Sequence, residues 1–130
     1  MSIQKSTIVV LIPCLNEEIT IGKVIRDFQK SIPEAQIIVF DNNSTDRTAS
    51  IAHESGAKVI KELRPGKGHV MANMFRKVEA DYYVIVDGDD TYSAEHVRQL
   101  LEPVIDESAE MSVAARLEEY TEQSFRPFHI

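Results

Sequence analysis

The sequence predicts an α/β domain, a mainly parallel sheet with helices on both faces. Three observations carry that expectation. Short continuous β-branched and apolar runs alternate with segments whose apolar residues recur at helical spacing. Each connection is long enough for a crossover helix, which parallel strands require. The polar residues that interrupt the pattern fall just after the apolar runs, at the carboxyl ends of the predicted strands, where such sheets bind ligands.

Thr7–Ile12 is the first strand, ended by Pro13. Asn16 is placed to cap the first helix, with Glu17 and Glu18 in its first turn. Ile21, Val24, Ile25 and Phe28 give it a buried stripe to about Lys30, and Pro33 closes the unit. Gln36–Phe40 is the second strand and ends at Asp41. Asn42-Asn43-Ser44 reads as a turn, with Ser44 capping a helix over Thr45–Ser55 and Gly56 terminating it. Ala57–Ile60 is a short third strand, followed by a loop over Leu63–Lys67. Gly68–Glu79 is helical, with Val70, Met71, Met74, Phe75 and Val78 on one side. Tyr82–Val86, an apolar run, is the fourth strand and is expected to be buried. Ser93 caps the next helix, which turns Val97, Leu100 and Leu101 inward and is bent or ended by Pro103. Met111–Ala115 is the fifth strand, and 117–130 shows no clear period.

The chain has 130 residues, enough for one core. It is 43% hydrophobic and 27% charged, a composition that folds rather than stays disordered. A net charge of −7 argues against nucleic acid as a partner, because phosphate neutralisation needs clustered Lys and Arg. The single cysteine, Cys14, allows no internal disulfide and suits a reducing compartment. No apolar run reaches the roughly 20 residues of a membrane helix. The expectation is a cytoplasmic protein, with peripheral association at the inner membrane face left open.

The fourth strand runs into Asp87, Asp89 and Asp90, with Gly88 between the first two. Clustered carboxylates repel unless they stand in water or share a cation. Asp87-Gly88-Asp89 is a D-x-D triplet of hard oxygen ligands that suits Mg²⁺ or Mn²⁺ completed by substrate phosphates. Taken alone, the triplet is equally a solvated acidic turn. Asp41, ending an apolar strand, can accept from a ribose hydroxyl or base N–H. Arg64-Pro65-Gly66-Lys67-Gly68 places cations beside glycines before a helix but lacks the P-loop spacing. His69 could follow this loop into a site or stand as a surface histidine at the start of a helix, and His53, His96 and His129 form no metal spacing.

The segments IPCLNEE, VFDNNSTDRTAS, RPGKGHVM and YYVIVDGDDTY, in this order, resemble the nucleotide-binding half of family 2 glycosyltransferases of the GT-A fold. They are especially similar to the polyprenyl-phosphate glycosyltransferases, the branch like dolichyl-phosphate mannose synthase. The resemblance runs from about Ile8 to Arg116. It implies a Rossmann-like GT-A half-domain over 1–116 that binds a nucleoside diphosphate sugar, UDP- or GDP-linked. Residues 117–130 would begin an acceptor region that is cut short. Pro13, Leu15, Asn16 and Glu17 would line the nucleoside pocket. Asp41 would contact base or ribose, with Asn43 and Ser44 nearby, and Lys67 and Gly68 would stand beside the nucleotide. Asp87, Gly88 and Asp89 would form the metal-facing motif, with Asp89 the better ligand. Arg116 would face the donor phosphates; Arg126 is a weaker match. The implied reaction is glycosyl transfer, with polyprenyl phosphate as a candidate acceptor. Because the resemblance covers the donor half only, the chain alone is expected to be weakly active or inactive, and to self-associate or pair with a missing C-terminal half. Alternatives are a nucleotide-binding module without turnover and, lower, a sugar nucleotidyltransferase or a receiver-type domain. The last two lack their expected features after strand one, where PCLNEE stands.

Overall fold

The structure, a computed structural model, describes residues 7–112. Its elements are β1 (Ile8–Cys14), α1 (Ile21–Ser31), β2 (Gln36–Asp41), α2 (Thr48–Glu54), β3 (Lys58–Lys61), α3 (Lys67–Lys77), β4 (Tyr82–Ile85) and α4 (Val97–Ile105). A single 3₁₀ turn, Ala94–His96, leads into α4. All strand pairs are parallel, in the order β3-β2-β1-β4. The α/β reading therefore holds. The chain steps outward from β1 to β3 and then crosses to the other side of β1. This puts a topological switch point between the carboxyl ends of β1 and β4.

Strand alternation sorts the core into two layers. Val10, Ile12 and Cys14 of β1 and Ile37 and Val39 of β2 pack with Ile21, Val24, Ile25 and Phe28 of α1, Ala52 of α2 and Val97 and Leu101 of α4. Val9, Leu11, Ile38 and Phe40 face the opposite way, onto Val70 and Met74 of α3 and Val78 just beyond it. Helices thus cover both faces. Val10, Leu11, Ile12, Val39 and Phe40 are fully buried, as β-strands central to an α/β sheet should be.

Four expectations need correction. Pro13 does not end β1; the strand runs through it to Cys14, which pairs with Asp41. Leu11 accepts a hydrogen bond from the Val86 N–H on the β4 side, and Pro13, two residues on, faces the same side beyond the last β1–β4 pair, Leu11 with Ile85. Its missing N–H therefore interrupts no ladder. Second, β4 is not a buried strand among the described residues: it lies at the sheet edge, and Ile85 is 41% exposed. Third, Phe75 lies on the exposed side of α3 and meets Tyr83 edge-on at 5.3 Å rather than joining the core. Fourth, Pro103 does not end α4, which continues for two residues to Ile105. Of the expected fifth strand, Met111 and Ser112 are not in a strand, and 113–115 lie outside the described residues, as do Arg116, Arg126, His129 and the tail.

Candidate active site at the carboxyl edge

The polar residues gather where the strands of the sheet end. Asp41 closes β2 and is 2% exposed; its Oδ1 accepts from the Ser44 N–H at 3.2 Å. Asp41 and Cys14 are register partners at the tips of β2 and β1. From the far side of the switch point Gly88 closes over the same cysteine. A Cβ added to Gly88 would stand 2.6 Å from Cys14 Sγ and 3.4 Å from Ile21 Cδ1. The glycine is thus required by space, not by a tight turn: its φ is not in the left-handed region. Thr20 Oγ1 donates to the Gly88 carbonyl at 2.6 Å, fastening the turn to the entrance of α1.

The three acids of this turn take different surroundings. Asp87 Oδ1 receives Lys67 Nζ at 2.9 Å from the start of α3. Asp89 Oδ1 accepts from the Thr91 N–H at 3.0 Å and from the Thr91 hydroxyl. Asp90 is paired with Lys23 at 3.1 Å. Glu17 lies close enough to feel the others. Desolvation, then the charges of Asp89, Asp87 and Asp46, raise its carboxyl above the usual value. Cys14 is buried at the centre, and desolvation together with Glu17, Asp41, Asp87 and Asp46 pushes its thiol far up. It is a packing residue there, with no thiolate to offer.

Asn16 and Ser44 do not cap their own helices as the sequence suggests. Asn16 takes φ +55°, and α1 begins at Ile21, with Thr20 as its N-cap. Asn16 N–H donates to Ser44 Oγ at 2.9 Å, and Asn16 Oδ1 accepts from Thr45 N–H at 2.9 Å. Glu17 N–H donates to Thr48 Oγ1 at 2.8 Å, Glu18 N–H to Asp46 Oδ2 at 3.2 Å, and Arg47 N–H to Glu18 Oε2 at 3.1 Å. The cap-type residues of each loop satisfy the other loop's amides. α2 accordingly starts only at Thr48, with Asp46 Oδ1 accepting from its N–H at 2.9 Å.

Among the residues expected to bind, the structure brings Glu17, Asp41, Asp87 and Gly88 together around Cys14, Lys67 joins them through Asp87, and the charge of Asp89 reaches Glu17. Pro13 is buried behind them, and Ser44 and Asn16 brace the neighbouring loops. Leu15, 53% exposed, and Asn43, at φ +64°, stand on the rim, and Gly68 has nothing within 4 Å of an added Cβ. Arg116 lies outside the described residues. Sequence reasoning missed Thr20, Lys23, Asn42, Thr48 and Glu62. Asn42 and Glu62 had a signal, since each is the polar residue at or just past a strand end. Thr20 and Lys23 had none, because their partners are 68 and 67 residues away.

Among the described residues no cluster of three or more His, Cys, Asp or Glu forms a ready-made metal cage. The donor chemistry nevertheless fits a hard divalent cation of the Mg²⁺ or Mn²⁺ kind. Asp87 and Asp89 are carboxylates on one short turn, and such ions are commonly held by one or two carboxylates with substrate phosphates completing the shell. No helix of the described residues is long and apolar enough to cross a membrane.

Residues 9–130 match the family model described as glycosyl transferase family 2. Protein RfbJ of Shigella flexneri is 46% identical over 122 residues, covering 94% of this chain and 95% of that protein. The low-salt glycan biosynthesis hexosyltransferase Agl6 of Haloferax volcanii is 37% identical over 127 residues, which is 95% of this chain and 31% of that protein. A crystal structure of glucosyl-3-phosphoglycerate synthase from Mycobacterium tuberculosis, in complex with Mn²⁺, UDP and glucosyl-3-phosphoglycerate, matches with a TM-score of 0.69 and 33% identity. That match covers 76% of this chain and 39% of the synthase. The chain thus spans nearly all of one relative and less than half of the other two.

Proposed function

The chain belongs to glycosyl transferase family 2, and from that premise we propose that its carboxyl edge binds a nucleoside diphosphate sugar with a divalent metal, for hexosyl transfer to an acceptor. One observation carries the reading. Asp41, Glu17 and the Asp87-Gly88-Asp89 turn, from three different strand ends, meet around the switch point, with Lys67 reaching in from α3. Support comes from the solved synthase, whose complexes contain UDP-glucose and Mn²⁺.

In this reading Asp41 accepts hydrogen bonds from the nucleoside, where its burial makes each bond strong. Pro13, Leu15, Asn16, Asn43 and Ser44 shape the pocket around it, and Gly68 keeps the start of α3 open to the nucleotide. Asp87 and Asp89 hold the metal, which when bound supplies positive charge against the departing diphosphate. Lys67 adds a second cation beside that diphosphate, and Arg116 a third. Polyprenyl phosphate is the proposed acceptor, reached from the inner face of a membrane. Activation of the acceptor is assigned to no described residue, so transfer by this chain alone is proposed to be weak. Nucleotide binding without turnover is the competing reading, because the described residues supply donor and metal groups but no acceptor base.

Calorimetry with UDP and with GDP, each with and without Mn²⁺, tests the binding. One nucleotide should bind in a metal-dependent way, and Asp89→Ala should abolish that dependence while leaving the fold intact. Binding that ignores both Mn²⁺ and Asp89 would refute the proposal. Release of sugar or nucleoside diphosphate from the matching donor then distinguishes a transferase from a module that only binds.

A further inference from the structure

Asn42 is one of the few buried polar side chains of the described residues, and all of its amide contacts go to one loop. Its Nδ2 donates to the carbonyl of Glu62 at 2.9 Å and to the carbonyl of Arg64 at 2.7 Å. Its Oδ1 accepts from the Gly66 N–H at 3.2 Å. Its own backbone N–H donates to the Cys14 carbonyl at 2.8 Å, which fixes it to the tip of β1. Both side-chain donors and the acceptor are therefore spent on the β3–α3 loop. Glu62 reinforces that loop from within, accepting from the Arg64 N–H at 2.9 Å.

The loop ends at the cation of the site. Gly66 takes φ +106°, a conformation that side-chain-bearing residues rarely adopt, and Lys67 follows as the first residue of α3. From there Lys67 reaches Asp87 at 2.9 Å. The side chain of Lys67 is 66% exposed, so its own packing does not fix its direction. What remains to aim it is the backbone from which it springs, and Asn42 holds that backbone.

We propose that Asn42 is a positioning residue: by pinning the 62–66 loop to the tips of β1 and β2 it delivers the Lys67 ammonium to the metal-facing carboxylate and, with donor bound, to the diphosphate. The proposal rests on the functional reading above for its second half only; the clamp itself is independent of any ligand. Asn42 does not touch the nucleotide. Its effect on binding passes through Lys67.

Amide hydrogen exchange and nucleotide binding on Asn42→Ala, Lys67→Met and the double variant test this. Asn42→Ala should accelerate exchange at Arg64, Gly66 and the first turn of α3, while the β1 and β2 amides stay protected. Lys67→Met should leave that exchange unchanged. Each single variant should weaken Mn²⁺-dependent binding of UDP or GDP, whichever the parent prefers, by roughly tenfold, the worth of one charge-assisted hydrogen bond. The double variant should bind no more weakly than Lys67→Met. Losses that multiply would overturn the proposal, because Asn42 would then act by another route. Unchanged exchange in Asn42→Ala would overturn it outright. If Asn42→Ala fails to fold, Asn42→Asp keeps the volume and the acceptor for Gly66, but sets a carboxylate against two carbonyls, and the same readouts apply. A parent protein that binds neither nucleotide sinks the proposed function, and the exchange data still decide the clamp.

Discussion

Gly88→Ala is the sharpest probe of the site's construction. The added Cβ would lie 2.6 Å from Cys14 Sγ and 3.5 Å from Glu17 Cγ. Ordinary contact between heavy atoms is about 3.5–4.0 Å, so the overlap with sulfur is roughly 1 Å. Neither partner yields easily. Cys14 is 3% exposed on a central strand, and its short side chain has no flexible end to move aside. Gly88 is tied to Thr20 through its carbonyl. Overpacking of this kind costs about 1–3 kcal/mol. At about 4 °C per kcal/mol for a chain of this size, the melting temperature should fall by about 4–12 °C. Because the turn that carries Asp87 and Asp89 must retreat, Mn²⁺-dependent nucleotide binding should weaken as well. Cys14→Ala alone removes one buried atom and should cost about 1 kcal/mol. Combined with Gly88→Ala it removes the overlap, so the double variant should be more stable than Gly88→Ala alone. Gly68→Ala is the control. Nothing lies within 4 Å of its added Cβ, and helix propensity should leave it as stable as the parent or more so, by up to about 1 kcal/mol. Urea or thermal melts of the four variants decide the matter. Additive costs for Gly88→Ala and Cys14→Ala, within about 0.5 kcal/mol, would refute the reasoning, as would a Gly88→Ala protein as stable as its parent.

Three further predictions rest on neighbouring contacts. Glu17 has its pKa raised in the folded state, so between the unfolded and folded values the native protein binds more protons than the unfolded chain, and stability falls as pH rises through that window. Glu17→Gln should therefore gain stability over the parent as pH is raised from about 4 towards neutrality, checked by urea midpoints across that range; a constant difference would count against the upward shift that desolvation and the neighbouring carboxylates impose. Cys14, buried with its thiol pushed up, should resist iodoacetamide at pH 8 and be alkylated only as fast as the protein unfolds, followed by mass spectrometry against urea concentration. Thr20→Val should cost about 1 kcal/mol and weaken Mn²⁺ binding by freeing the Gly88 carbonyl, whereas Thr20→Ser should restore both, measured by melts and by Mn²⁺ titration.

The class of fold was legible in the sequence because burial leaves a local trace. A strand covered on both sides reads as an unbroken apolar run such as IVVLI or IIVF, and α1 declares itself by Ile21, Val24, Ile25 and Phe28. The principal acids were legible for a similar reason: Asp41 and Asp87 are polar residues that directly follow apolar runs. Caps were misread because Ser, Thr, Asn and Asp satisfy any nearby amide, and local sequence does not say whose. Asn16 and Ser44 look like the caps of their own helices and instead bond each other's loops, 28 residues apart.

The sequence by itself therefore determined the alternation of strands and helices, the two-sided core and the presence of acids at the strand ends, since each follows from periodicity along a few neighbouring residues. Only the tertiary structure decided the strand order that sets β4 beside β1, the reason Gly88 must be a glycine, the pairing of Asp90 with Lys23 and the clamp that Asn42 places on the loop before Lys67. Those depend on which strand ends meet across the sheet, and the contacts that fix them join residues 20 to 74 apart in sequence, a separation over which no local pattern carries information.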